Sequence, residues 1–341
     1  MVDTHILITG ATGLIGFRVL LAALEAGCKV RYTARSESKA RIVSSNQAVQ
    51  KLAPEARLTS SIIPDFEVDG VFDSALQGIT HIIHVGSPVP NASYEPTIDI
   101  FQPTLKITSN LLLSALKTPS VKRVIITSSI VGNLGLVPPL TAVSAATRVP
   151  LPEPVPHTYD DVFVAYITSK IVGFHMMDEF VKTHNPHFSV SHVVPGYVFG
   201  RNELAVDAAM MQTQNSSNNF LMMGMLGGRL PFPIHGAFVH IDDLAEVHLR
   251  VLFLDPAAGS LTDYGVATKV NYDDIFEYVE KEFPKAVAEG VFKRGAVPTL
   301  PVEYDSSETE KLLGERKLQS FGSAVADVAA QYLEKLGRDK A

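Results

Sequence analysis

Short runs rich in β-branched and apolar residues recur over the first 195 positions, at 6–9, 29–33, 58–63, 81–85, 123–128 and 189–194. Between them apolar residues fall at helical spacing, as Val19, Leu20, Leu21 and Leu24 do after the first run. Strands alternating with helices predict parallel pairing through helical crossovers. The runs are apolar almost without interruption, as expected of strands covered by helices on both faces. The pattern predicts an α/β fold with a doubly wound parallel sheet of Rossmann type.

Beyond Pro195 the rhythm breaks into glycines, methionines and prolines, resumes over 238–254, and ends in charged helical stretches. This predicts a large domain of 1–195 to which 236–258 returns, and a smaller interleaved lobe built from 196–235 and 259–341. Composition narrows the ligands. A net charge of −7 with dispersed basic residues gives no surface for nucleic acid. The single cysteine, Cys28, excludes a disulfide framework and a cysteine-based metal site. None of the 11 histidines stands in a His-x-x-x-His arrangement, so no metal is predicted. Met1 runs almost at once into the first strand, and no window reaches about 18 consecutive apolar residues. The expectation is a cytoplasmic protein without a membrane segment.

Three motifs carry chemistry. In Thr9-Gly10-Ala11-Thr12-Gly13-Leu14-Ile15-Gly16, a glycine turn joins a strand to a helix. Gly10 permits the tight turn, Gly13 lets backbone approach a pyrophosphate, and Gly16 allows close helix–strand packing, with the helix N-terminus favouring phosphate charge. The second strand then decides between dinucleotides. It ends Tyr32-Thr33-Ala34-Arg35 with Lys39 beyond, so the carboxylate that bonds an NAD ribose is missing and two cations stand where a 2′-phosphate would lie. NADPH/NADP+ is the predicted cofactor, and 1–195 the NADP-binding domain.

In Tyr166-Ile167-Thr168-Ser169-Lys170, a spacing of four on a helix stacks phenol and ammonium on one face. A nearby ammonium favours phenolate, which suits a tyrosine exchanging a proton with a substrate oxygen. Thr127-Ser128-Ser129 ends the fifth strand, bringing hydroxyls to the sheet rim where ligands bind. The proline-rich stretch 138–156 is long enough to frame a pocket.

Together the glycine motif, Ser129 and the Tyr166/Lys170 pair resemble the short-chain dehydrogenase/reductase family in its extended form. Val85-Gly86-Ser87-Pro88, Val194-Pro195-Gly196-Tyr197-Val198-Phe199-Gly200 and Phe238-Val239-His240-Ile241-Asp242-Asp243 are similar to its dihydroflavonol, methylglyoxal and aldehyde reductase branch, over residues 4 to 255. The resemblance implies that Ser129 bonds a substrate carbonyl, that Tyr166 donates the proton, and that Lys170 bonds the nicotinamide ribose and lowers the tyrosine pKa. It implies cofactor contacts at Asp65 and Phe66, at Val85, Gly86 and Ser87, at Thr127, and at Pro195 and Val198. Arg201 departs from the pattern, since proline is common there. Asn110 matches a proton-relaying asparagine only by lying on a helix, and is left out of the catalytic set.

The expected activity is NADPH-dependent reduction of a ketone or aldehyde to an alcohol, by a monomer or homodimer. Met210, Met211, Met222, Met223 and Met225, near Phe220 and Phe232, suggest an adaptable apolar wall for a hydrophobic substrate, or ordinary lobe packing. A sugar-nucleotide epimerase or dehydratase, a redox-neutral isomerase or cyclase, and a non-catalytic NADPH sensor are the alternatives. Ser129-Ile130-Val131 stands against the dehydratases, which carry an acidic pair there.

Overall fold

The computed structural model describes residues 4–52, 56–314 and 316–338. Met1 and the expected outer limit at 341 lie outside the described residues. Seven strands form the main sheet: β1 His5–Thr9, β2 Lys29–Ala34, β3 Leu58–Ile62, β4 His81–His84, β5 Arg123–Thr127, β6 Ser189–Pro195 and β7 Leu261–Val266. Their spatial order is β7-β6-β5-β4-β1-β2-β3, and every neighbouring pair is parallel. Strand order reverses between β1 and β4, which opens a crevice at their carboxyl ends.

Side-chain alternation explains the layers. Ile6 and Ile8 of β1 face a core shared with helices α1 Leu14–Glu25 and α6 Ile241–Leu252. Leu7 faces the other core, shared with α3 Gln102–Leu116 and α4 Val162–His184. β5 and β6 are buried throughout. Helix α2, Glu37–Ser44, covers β2 beside α1, and Ser36 caps it by accepting from the Lys39 N–H at 3.3 Å.

The smaller lobe has its own core, assembled from three stretches of chain. Helix α5 Asn218–Met225 contributes Leu221, Met222 and Met225; α7 Ile275–Glu282 contributes Ile275, Phe276 and Val279; α8 Phe321–Lys335 contributes Phe321, Val325 and Val328. A parallel ribbon, Tyr197–Phe199 beside Ala237–His240, forms the seam with the large domain. Alternate residues of the ribbon enter different cores: Phe199 and Phe238 pack in the lobe, Val198 and Val239 in the large domain.

Ile241–Leu252 packs as α6 on the main sheet. The assignment of all of 259–341 to the lobe is corrected. Leu261–Val266 is the edge strand of the main sheet, and helix Ser307–Leu312 packs against it before α8 re-enters the lobe. Leu-Thr-Asp-Tyr-Gly-Val leaves its first four residues only partly buried, so it lacks the continuous apolar run that marks the inner strands. Among the described residues no helix is long and apolar enough to cross a membrane.

Candidate active site at the sheet crevice

The turn after β1 is held by backbone packing. Gly10 has φ +75°, a left-handed conformation, and a Cβ there would stand 2.7 Å from Gly86 N. A Cβ on Gly16 would lie 2.3 Å from Gly10 O. At Gly13 the nearest protein atom would be 3.5 Å away, an ordinary contact, so the space before Gly13 is left open by the protein itself. Helix α1 begins there with no side-chain cap and no acidic residue in its first turn, which leaves the N–H groups around Leu14, Ile15 and Gly16 for an anion; Thr12 lies in the same turn. Arg35 and Lys39 are exposed beyond β2, and neither forms an ion pair among the described residues, although Glu67 feels the Arg35 charge. These features fit a phosphorylated dinucleotide lying across the carboxyl ends of β1 and β2.

Helix α4 carries the phenol and the lysine. Asp161 caps it, accepting from the N–H groups of Phe163 at 2.8 Å and Val164 at 2.9 Å, and this sets Tyr166 one turn inside the helix. The Lys170 ammonium is 5.2 Å from the Tyr166 ring centroid and donates to Ser87 Oγ at 2.8 Å. Ser129 reaches the same place because the chain turns sharply after β5. Ile130 N–H donates to Pro195 O at 3.1 Å, and Gly132 lies so close to α4 that a Cβ would meet the Phe174 ring at 2.6 Å.

Electrostatics follow from depth. Burial raises the Tyr166 phenol pKa, and a hydrogen bond with the Ser129 hydroxyl offsets part of that. Burial lowers Lys170 to about 8. Burial is the largest cause of both shifts, and it acts on the phenol and the ammonium alike by disfavouring their charged forms.

Phe66 turns its ring into the core, 5.4 Å from Phe72, and Asp65 accepts from the Glu67 N–H at 2.8 Å. The Thr127 hydroxyl is committed to His248 Nε2 at 2.8 Å. Val198 buries its side chain in the large-domain core, and Pro195 is buried at the end of β6. Val85, Gly86 and Ser87 form the turn facing Gly10 and remain partly exposed. Asn110 donates to Phe66 O and Val68 O, both at 3.1 Å, and so pins the loop after β3. Three of the five lobe methionines, Met211, Met222 and Met225, are core residues, which leaves only Met210 and Met223 partly exposed. Arg201, the departure from the expected proline, pairs with Glu334 of α8 at 2.7 Å.

Sequence reasoning missed Tyr197. Its ring packs edge-on against Phe220 at 5.4 Å, and its phenol is near enough to Tyr166 that charge on one disfavours charge on the other. Its place after Pro195-Gly196, at the strand end where site residues gather, was the available signal. Phe163, one turn before Tyr166, meets Phe232 of the lobe edge-on at 5.3 Å.

The doubly wound sheet, with its glycine turn opening on the crevice, is that of an NAD(P)-dependent oxidoreductase of the extended short-chain dehydrogenase/reductase type. The chain belongs to the NAD dependent epimerase/dehydratase family, whose profile matches residues 6–264. It is 33% identical to a ketoreductase from Cercospora beticola, over 100% of this chain and 98% of that protein. It is 35% identical to an NAD-dependent epimerase/dehydratase from Alternaria alternata, over 96% of this chain and 97% of the other. Among solved structures, yeast methylglyoxal/isovaleraldehyde reductase complexed with NADPH superimposes with a TM-score of 0.76 at 22% identity, covering 98% of this chain and 100% of that one.

Proposed function

We propose that this protein reduces a ketone or aldehyde to an alcohol using NADPH, with Tyr166 as the proton donor. The observation that carries this reading is the convergence of Ser129, Tyr166 and Lys170 beside the Ser87 turn. The ketoreductase from Cercospora beticola supports it at the level of reaction class. The positive side chains after β2, with no carboxylate in their place, support NADPH over NADH.

When bound, NADPH supplies a hydride to the carbonyl carbon. The Ser129 hydroxyl donates a hydrogen bond to the carbonyl oxygen and holds it against the phenol. Tyr166 gives its proton to that oxygen as negative charge develops there, and the raised pKa keeps the proton available at neutral pH. Lys170 stands beside the phenol and anchors the Ser87 turn. The aromatic pairs Tyr197/Phe220 and Phe163/Phe232 support a hydrophobic substrate, because Tyr197 lies near Tyr166 and Phe163 stands one turn before it on α4.

The test is NADPH oxidation against a panel of aliphatic and aromatic aldehydes, diketones and sugar nucleotides. Tyr166→Phe should lower kcat by about 10²–10⁴-fold while the NADPH dissociation constant stays at its wild-type value. Equal turnover in that variant would remove Tyr166 from the reaction. Conversion of a sugar nucleotide without net NADPH consumption would favour an epimerase instead.

A further inference from the structure

Beneath the Ser87 turn a chain of hydrogen bonds runs through His84, which the proposed reaction does not use. His84 is the last residue of β4 and is buried. Its Nδ1 is 2.7 Å from Thr9 Oγ1, and Thr9 Oγ1 accepts from the Gly86 N–H at 3.1 Å. The Gly86 N–H already fills one acceptor position of the Thr9 oxygen. Among the described residues Thr9 Oγ1 has no other nitrogen or oxygen partner, so its own proton points to Nδ1. The imidazole proton then sits on Nε2, which is 3.4 Å from Thr108 Oγ1, and Thr108 in turn donates to Thr104 O at 2.9 Å. Every donor in this chain has one acceptor, and the direction is the same throughout.

The chain joins two turns that touch. Gly10 and Gly86 approach closely, since a Cβ on Gly10 would stand 2.7 Å from Gly86 N and one on Gly86 3.2 Å from both Gly10 N and Thr9 Oγ1, so Thr9 lies against this contact. Ser87, next along, receives the Lys170 ammonium. The phosphate turn and the lysine platform therefore share a support made of Thr9 and His84, tied through Thr108 to helix α3.

We infer that His84 is a positioning residue: as a neutral Nε2–H imidazole it fixes, through Thr9, the spacing between the glycine turn and the Ser87–Lys170 pair. This inference rests on the dinucleotide reading of the crevice. Protonation of Nδ1, or removal of the ring, would release Thr9 and let Gly86 drift from Gly10.

The experiment is fluorescence titration of the full-length chain with NADPH, alongside steady-state kinetics. His84→Leu and Thr9→Val should each weaken NADPH binding about five- to tenfold, the size of one lost hydrogen bond, with the carbonyl KM at saturating NADPH unchanged. The double variant should be no weaker than either single one, because both break the same link. His84→Asn, whose amide oxygen can accept from Thr9, should restore most of the affinity. A purely structural His84 would lower Tm and leave the NADPH dissociation constant alone; that result, or losses that add in the double variant, overturns the inference. Should His84→Leu fail to fold, Thr9→Val against Thr9→Ser decides, since serine keeps the hydroxyl. Wild-type protein that does not bind NADPH at all would overturn the cofactor reading, a result distinct from wild-type affinity retained in both single variants.

Discussion

Lys170 is a cation held inside the protein, and its environment sets both its chemistry and its cost. Its folded pKa of about 8 lies below the ordinary 10.5. Between these values the unfolded chain binds more protons than the folded one, so stability rises with pH across that window. Below pH 8 the full burden is present, about 3 kcal/mol from the pKa difference. Lys170→Met should therefore raise Tm in thermal melts at pH 7, less the loss of the Ser87 hydrogen bond. The advantage should shrink as pH climbs from 8 towards 10.5, and NADPH turnover should be severely reduced throughout. Spacing in the sequence brought Tyr166 and Lys170 to one helix face. It carried no information about depth, and depth is what raises the Tyr166 pKa and lowers that of Lys170. His84 was illegible for a related reason: a histidine ending an apolar strand shows its use only once Thr9, 75 positions away, is seen beside it.

At the level of elements, the glycine turn separates two roles that the motif alone merges. Gly10→Ala forces both an unfavourable φ and a collision with Gly86, and should lower Tm by an amount equivalent to about 1–3 kcal/mol together with cofactor affinity. Gly13→Ala meets nothing closer than 3.5 Å, so its melt should match wild type while NADPH binding weakens. Calorimetry and cofactor titration on the two variants distinguish a glycine kept for the fold from one kept for the ligand. The five inner strands were legible because two-sided burial writes a continuous apolar run. The two edge strands need only partial cover, and of these the short β3 was read from the sequence while β7 was not. The lobe methionines illustrate the opposite difficulty: adaptable side chains suit a pocket wall and a core equally, and Met211, Met222 and Met225 turned out to be core.

Across the whole molecule, a half-buried ionic cluster ties the proline-rich stretch 138–156 to the sheet. Arg148 binds Asp178 of α4 at 2.8 Å and Asp263 of β7 at 2.7 Å, lies 4.8 Å over the Phe174 ring, and shares Asp263 with His192. Burial pushes the Asp263 carboxyl upward, but His192 and Arg148 more than offset this and hold it below its ordinary value. Such a group contributes stability at neutral pH that is lost as pH falls through its folded pKa. Arg148→Met leaves Asp263 with only His192 and should cost about 1–3 kcal/mol, read as a lower Tm at pH 7 and an onset of acid unfolding at higher pH. None of these partners is near Arg148 in sequence, so the cluster could not be read from the chain. The doubly wound sheet could, because it repeats a local pattern.

The three-stretch construction of the lobe limits how its specificity could be redesigned. A recipient scaffold could not accept the lobe as one contiguous cassette, because β7 and helix Ser307–Leu312 lie between its pieces and belong to the sheet. A graft ending near residue 300 would lack α8, and one running to the end would replace an edge of the recipient's own sheet. Chimeras between relatives should therefore exchange three separate inserts while retaining the host's β7, or change Tyr197 together with the lobe rings it packs on, Phe220 and Tyr272.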